Sequence, residues 1–316
     1  MCSSDLAAAI AAQPGRRTIL TDAANFPTDR YILQGLARAH DLRLVVIDNE
    51  DPARADGERI DPAWLDSQMS EDVALVCLQV VQYRSGARQD VAAVNAVAAR
   101  HGAIVLWDAA HAAGSIPLEF DANGVSLAVG CTYKYGNAGP GAPAWLYVSH
   151  AMQQRLQVPI QGWFAQRDQF AMGAHFERDA SIRGFQIATP PVLGLRCVRV
   201  GFGMIGDAGI AAIGRKAAEG TDLMIALFDE WLEPLGFSLR TPRAAPERGA
   251  HETLAHLVMW EYESYAAYEA YKTRRKDYEG PYKEYKENDP YHKGVFVHNR
   301  MGYEFWKDVE RDLWVE

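Results

Sequence analysis

Short apolar runs alternate with amphipathic segments through the middle of the chain. Residues 73–78 form a continuous apolar run rich in β-branched side chains, which is typical of a strand covered on both faces. Asp90 precedes valines at helical spacing and Gly102 follows them, so this segment predicts a helix with an N-cap and a left-handed glycine at its end. Residues 103–107 are again apolar. We therefore expect a strand, a helix and a second strand in a crossover unit with parallel strands.

Two further apolar runs, residues 127–131 and 144–148, predict additional strands. Strands that alternate with helices indicate an α/β fold, in which ligands bind beyond the carboxyl ends of the parallel strands. Every apolar run is far shorter than the ~20 residues that a membrane-spanning helix needs, so no transmembrane span is expected.

The overall composition narrows the classes of function. The chain has 316 residues, 48% of them hydrophobic, and a formal net charge of −9, from 32 basic and 41 acidic residues. These values are ordinary for a soluble globular protein, and no basic cluster predicts binding to nucleic acid or to an anionic membrane. The four cysteines are widely spaced and lack the spacing of a metal site. We expect buried, reduced thiols in a cytoplasmic protein, and no metal centre.

The composition also divides the chain. Residues 252–316 hold nine of the 14 tyrosines, whereas the preceding part is rich in Ala, Val and Gly, which predicts a boundary after His251. The polar hexapeptide at residues 1–6 lacks the features of a signal peptide and is interpreted as a leader of non-native origin, the alternative being a frayed native terminus. The expected organisation is therefore this leader, one large domain over residues 7–251, and a tyrosine-rich α+β segment of uncertain origin over residues 252–316.

Two predicted strands are followed by residues that could take part in catalysis. Asp108 and His111 follow residues 103–107, and Tyr133 and Lys134 follow residues 127–131, just before a glycine-rich turn. Asp108 could instead cap a helix, His111 could pack in the core, and Lys134 could be an exposed lysine. A lysine that forms a Schiff base with an aldehyde, together with an aspartate that keeps a pyridine nitrogen protonated, is what pyridoxal phosphate chemistry requires.

Three motifs that contain these residues resemble, in order and spacing, the signatures of the kynureninase family. They are Asn25-Phe26-Pro27-Thr28-Asp29, Trp107-Asp108-Ala109-Ala110-His111-Ala112-Ala113-Gly114 and Tyr133-Lys134-Tyr135-Gly136-Asn137-Ala138-Gly139, and Arg248-Gly249-Ala250-His251 resembles a fourth. The match covers about residues 10–252. It implies a homodimeric pyridoxal phosphate enzyme of fold type I, in which helices cover both faces of a mainly parallel sheet.

The resemblance also implies an activity. Enzymes of this family hydrolyse L-kynurenine, or 3-hydroxykynurenine, to anthranilate, or 3-hydroxyanthranilate, and L-alanine, in tryptophan degradation and in some organisms NAD synthesis. By matching position, Lys134 would form the Schiff base and then accept the α-proton. Asp108 would contact the pyridinium nitrogen, and His111 would lie against the phenolic oxygen of the cofactor.

The remaining positions follow from the same resemblance. Phe26 would stack on the cofactor ring, and the next three residues of its motif, Pro27, Thr28 and Asp29, would lie beside it. Tyr133 and Trp163 would bind the cofactor phosphate, with Tyr133 also a candidate acid or base. Thr189 would complete the phosphate site of a partner subunit.

The sequence also departs from the family pattern. Only about twenty residues precede the Phe26 motif, and no counterpart of the substrate-binding arginine follows His251, so the phosphate and substrate sites are expected to be incomplete. One alternative is therefore a catalytically incomplete fragment that retains a cofactor pocket. The other is a different class V aminotransferase or a cysteine desulfurase, which ranks lower because Cys131 and Cys197 lie in apolar stretches rather than on a mobile loop.

Overall fold

The computed structural model describes residues 3–49, 58–236 and 238–250. The prediction of an α+β segment over residues 252–316 lies outside these ranges. The strands are β1 Thr18–Asp22, β2 Arg43–Ile47, β3 Val73–Gln79, β4 Ile104–Asp108, β5 Leu127–Gly130 and β6 Trp145–Val148. The helices are α1 Ser3–Ala11, α2 Pro27–Ala39, α3 Pro62–Gln68, α4 Val91–Arg100, α5 His150–Arg155, α6 Val192–Ala208 and α7 Ile210–Trp231.

The described strands form one sheet in the order β2-β1-β3-β4-β5-β6. All neighbouring strands are parallel except β5 and β6, which pair antiparallel. Each of the four apolar runs that predicted a strand forms one, and β3 and β4 are parallel as expected. The β3 strand is buried along its whole length because it lies inside the sheet and is covered on both faces.

Helices cover both faces of the sheet. On one face, Val76 of β3 belongs to the same apolar cluster as Val94 of α4. On the other face, Leu75 of β3 belongs to a second cluster with Leu33 of α2 and Leu6 of α1. Successive residues of a strand point to opposite faces, so a single apolar run supplies both cores. This arrangement confirms the α/β fold with three layers.

Helix α4 begins and ends where the sequence indicates. The Asp90 carboxylate accepts a hydrogen bond from the backbone N–H of Ala93 at 2.9 Å, which satisfies one of the free donors of the first turn. His101 is the C-cap, and Gly102 follows with φ +67°, a left-handed conformation that favours glycine.

Part of the segment that was interpreted as a leader forms a helix and packs in the core. Helix α1 begins at Ser3, and the side chain of Leu6 is fully buried. Residues 3–6 therefore belong to the fold, which the sequence analysis did not expect. The non-native origin of residues 1–6 stays a prediction.

Helices α6 and α7 follow each other closely and bend by 78° at Gly209. No single helix in the described ranges is long and apolar enough to cross a membrane. The bent pair of α6 and α7 meets the criterion of length and composition only when its two helices are taken together.

Candidate functional site

The main cavity lies at the carboxyl ends of β4 and β5. These two strands are neighbours in the sheet, so Asp108 at the end of β4 and Lys134 shortly after β5 reach the same edge, as the sequence predicts. The cavity has a volume of about 700 Å³. The candidate residues that line it are Phe26, Thr28, Asp29, Asp108, Tyr133 and Lys134.

Lys134 contacts a second predicted site residue. Its Nζ lies 2.6 Å from Nε2 of His111, which is hydrogen-bond distance. The same Nζ lies 5.8 Å from the ring centre of Phe26 and 6.0 Å from that of Tyr133. The three loops after β1, β4 and β5 thus bring an aromatic ring, an imidazole and an amine together, although they are distant in sequence.

Asp108 is held by two contacts at the end of β4. Its Oδ1 accepts a hydrogen bond from the backbone N–H of Ala110 at 2.8 Å. Its Oδ2 lies 3.4 Å from Nε2 of Gln79, a long contact from the last residue of β3. Gln79 is almost fully buried and was missed by the sequence analysis. Its position at the end of a neighbouring strand was the available signal.

Asp29 places a second buried carboxyl group in the cavity. Burial raises the pKa of Asp29 to about 8, and the nearby charge of Asp108 acts in the same direction. A side-chain hydrogen bond with Asp108 also raises the pKa of Asp29. A protonated Asp29 can donate this hydrogen bond, because a carboxylic acid carries an O–H.

Tyr133 is half exposed at the cavity. Partial burial raises the pKa of its phenol, and the neighbouring thiol of Cys131 adds to the effect. The sequence alone did not determine whether the pKa of Tyr133 is raised or lowered. The phenol is therefore protonated at neutral pH and can donate a proton or a hydrogen bond.

The expectation of buried cysteines is only partly right. Cys77 is buried in β3, whereas Cys131 is partly exposed at the cavity and Cys197 is exposed on α6. Cys131 directly follows β5, so it turns toward the same edge of the sheet as Lys134. The apolar sequence around Cys197 misled the prediction because this side of α6 is not covered by the described residues.

Four candidate residues do not line the cavity. His111 is one of them, although its Nε2 contacts Lys134, which does line it. Pro27 is the first residue of α2, where its missing N–H costs no hydrogen bond. Trp163 begins a short 3-10 turn, is 46% exposed, and makes an edge-to-face contact with Phe164 at 4.8 Å between ring centres. Thr189 is exposed and lies next to Ala188, which does line the cavity.

The first two residues of the motif that begins at Arg248 hold neighbouring segments of the fold together. The Arg248 guanidinium is almost fully buried, and it donates to the carboxylate of Asp222 and to the hydroxyl of Thr221, both on α7. The N–H of Gly249 donates to the carbonyl of Gly86 at 2.8 Å. These contacts tie the segment to α7 and to the loop after β3, and Arg248 is not among the residues that line the cavity.

Comparison with known proteins gives consistent results. The profile of the family described as Aminotransferase class-V matches residues 3–243. The chain is 36% identical over 242 residues to a kynureninase of Deinococcus radiodurans and 35% identical over 247 residues to one of Burkholderia pseudomallei. Each alignment covers 77% of this chain and 56% of the relative, so the chain spans about half the length of these curated relatives. The resemblance seen in the motifs is confirmed.

Solved structures agree on the fold. The apo structure of a cysteine desulfurase from Thermococcus onnurineus has a TM-score of 0.62 at 20% identity, covering 78% of this chain and 59% of that one. An alanine–glyoxylate aminotransferase from Nostoc has a TM-score of 0.55 at 20% identity, covering 78% and 62%. At these identities the likeness concerns the fold alone.

Proposed function

Because the chain belongs to the class-V aminotransferase family, we propose that it hydrolyses L-kynurenine or 3-hydroxykynurenine to anthranilate or 3-hydroxyanthranilate and L-alanine. Pyridoxal phosphate is the cofactor that this membership indicates. One observation carries the proposal: Lys134 lines the same cavity as Asp29 and Asp108, and its Nζ lies 2.6 Å from Nε2 of His111. The kynureninases at 35–36% identity favour this reaction over others.

The residues present fit the cofactor. Lys134 offers a primary amine for its aldehyde, and the ring of Phe26 is 38% exposed at the cavity wall, available for stacking. Asp108 offers a carboxylate for a protonated pyridine nitrogen, and Asp29 places a second carboxyl group beside it. When bound, the cofactor supplies an electron sink for the carbanion at the substrate Cα.

The residues of this chain then supply the proton transfers. Lys134 would accept the proton from the substrate Cα, and Nε2 of His111 is within reach to hydrogen-bond its amine. Tyr133 is the proposed proton donor to the substrate Cβ, because its raised pKa keeps the phenol protonated at neutral pH. Water adds to the γ-carbonyl, so one water is consumed for each anthranilate and alanine released.

The test compares two lysine variants. We expect the chain with added pyridoxal phosphate to show the visible absorption of lysine-bound cofactor and to release fluorescent anthranilate from kynurenine. Lys134→Ala should lose both signals, whereas Lys216→Ala, at an exposed lysine on α7, should keep them. A spectrum that is unchanged in Lys134→Ala would contradict the assignment of Lys134.

Two alternatives are separated by the same assay. Cofactor absorption without product from kynurenine would indicate a chain that retains the pocket but not the activity. The position of Cys131 at the cavity favours a test of the desulfurase alternative. Formation of alanine from cysteine, with the sulfur left as a persulfide that added dithiothreitol reduces to sulfide, and with no reaction of kynurenine, would support that reading.

We further propose a cytoplasmic homodimer. Apolar side chains of α6 are exposed in the single chain, among them Val192, Leu193, Val200 and Met204. Trp163 and Thr189 lie outside the cavity of their own subunit, in keeping with a role at a neighbouring one. The free thiols of Cys77, Cys131 and Cys197 are consistent with a reducing compartment.

A further inference from the structure

Helix α6 packs against the turn formed by residues 132–138, which carries Lys134 and is called the lysine turn below. Gly201 of α6 is buried, and its backbone is in direct contact with the carbonyl group of Gly136. A methyl group at Gly201 would overlap the carbonyl oxygen of Gly136 and lie 3.0 Å from the carbonyl carbon of Asn137. Because these obstacles are backbone atoms, no side-chain rotation can make room. Glycine is required here for close approach of two backbones.

The same turn is restrained on its other sides. A methyl group at Gly136 would lie 2.7 Å from Cε2 of Phe202, the residue after Gly201. A methyl group at Gly114, which has φ +88°, would lie 2.8 Å from the carbonyl oxygen of Tyr135. The turn therefore lies between the loop after β4 and helix α6.

Hydrogen bonds within the turn leave it little freedom of its own. The N–H of Asn137 donates to the carbonyl of Lys134 at 3.0 Å, and the N–H of Ala138 donates to the carbonyl of Thr132 at 3.1 Å. A displacement at Gly136 or Asn137 is therefore transmitted to the backbone of Lys134.

We propose that Gly201 is a positioning residue for Lys134, through the direct contact between the backbone of α6 and the lysine turn. This inference rests on the proposed function of Lys134 and adds a residue that neither motif nor cavity identifies. The contact fixes the turn so that Nζ of Lys134, a residue that lines the cavity, lies 2.6 Å from Nε2 of His111.

The overlap at Gly201 explains why we expect the turn to respond to a Gly201→Ala substitution. To accept a methyl group at Gly201, helix α6 and the turn must move apart by on the order of 1 Å. A displacement of that size is large for a reacting group such as the amine of Lys134. Gly203 and Gly206 lie on the same helix, and nothing lies within 4 Å of a methyl group built at either position. Alanine at these two sites makes the same change in helix propensity without the overlap.

The experiment compares Gly201→Ala with Gly203→Ala and Gly206→Ala in the full chain. Without cofactor, amide hydrogen exchange over residues 132–138 should be faster in Gly201→Ala than in the two controls. With pyridoxal phosphate, the visible absorption of the lysine-bound cofactor should require about tenfold more cofactor in Gly201→Ala. Both controls should match the unmodified chain.

Several outcomes would overturn the inference. One is exchange and cofactor titration in Gly201→Ala that match the controls. Another is a lower melting temperature alone, with both measurements unchanged, which would mean a purely structural role. If Gly201→Ala does not fold, Phe202→Leu removes the ring contact with Gly136, and an absent effect on exchange over residues 132–138 would count against the inference.

The two proposals fail in different ways. A chain that shows no lysine-bound cofactor even without substitution contradicts the proposed function of Lys134. The difference in hydrogen exchange between Gly201→Ala and its controls is measured without cofactor, so it decides independently whether α6 fixes the turn.

Discussion

Asp22, the last residue of β1, is a fully buried acid outside the main cavity. Its Oδ2 accepts hydrogen bonds from Nδ2 of Asn49 at 2.8 Å and from Nε2 of Gln82 at 2.5 Å. Its Oδ1 has no hydrogen-bond partner within the described part of the chain. Burial outweighs the two hydrogen bonds and raises the pKa of Asp22 to about 6.

This shift predicts how stability depends on pH. The folded chain binds the proton of Asp22 more tightly than the unfolded chain, where the pKa is near 3.8. The free energy of unfolding should therefore fall as the pH rises from about 4 to about 6, by about 3 kcal/mol from this group. Asp22→Asn should remove that part of the fall, which urea unfolding at a series of pH values would measure.

A second aspartate supplies the control for this measurement. Asp229 lies on the surface of α7, and its hydrogen bonds to Arg243 lower its pKa, which is the opposite direction. Asp229→Asn should keep the fall between about pH 4 and pH 6. If Asp22→Asn retained the same fall, the buried proton of Asp22 would not be its cause.

At the scale of elements, α6 presents two different faces. Its buried Gly201 meets the lysine turn, while Val192, Leu193 and Val200 are exposed. An apolar face of this kind on a surface helix is typical of an interface, because exposed apolar side chains gain free energy when they are covered. The helix thus connects the geometry of the site with the proposed assembly.

The proposed dimer can be tested on this exposed face. Leu193 is 83% exposed, so Leu193→Glu should leave the fold of the single chain intact. It should shift the molecular mass in solution from that of a dimer to that of a monomer, as measured by analytical ultracentrifugation. The control is Tyr31→Glu, at an exposed aromatic residue on α2. A dimer that persists in Leu193→Glu would exclude this face as the interface.

The sequence predicted those parts of the fold and site that depend on local pattern. The strands and α4 follow from apolar runs and from Asp90 and Gly102, which act within their own segment. Asp108 and Lys134 could be paired because both follow strands, and the ends of parallel strands meet. Each of these inferences needed only residues that are neighbours in sequence and one rule of sheet geometry.

The parts that the sequence did not predict depend on contacts between distant residues. Gly201 contacts Gly136 across 65 positions, and a glycine inside a helix gives no sign of what lies opposite it. Gln79 ends a strand that the sequence predicts to be parallel to β4, but its contact with Asp108 also depends on the register between the two strands. The burial of Leu6 likewise depends on the position of α1 against the sheet.

At the scale of the whole molecule, the fold has one apolar core on each face of the sheet, and α1 closes the second of them. Leu6 is fully buried in this core beside residues of α2 and β3. The energetic contribution of Leu6 therefore measures how far α1 stabilises the fold.

Leu6→Ala should lower the free energy of unfolding by about 3 kcal/mol, because it removes buried methyl groups and leaves a cavity. The matched control is Leu223→Ala on α7, where the leucine is 61% exposed and the expected change is below about 0.5 kcal/mol. Chemical unfolding followed by tryptophan fluorescence measures both, since Trp107 is buried in the sheet. If Leu6→Ala cost no more than the control, the burial of Leu6 against the sheet would not stabilise the fold.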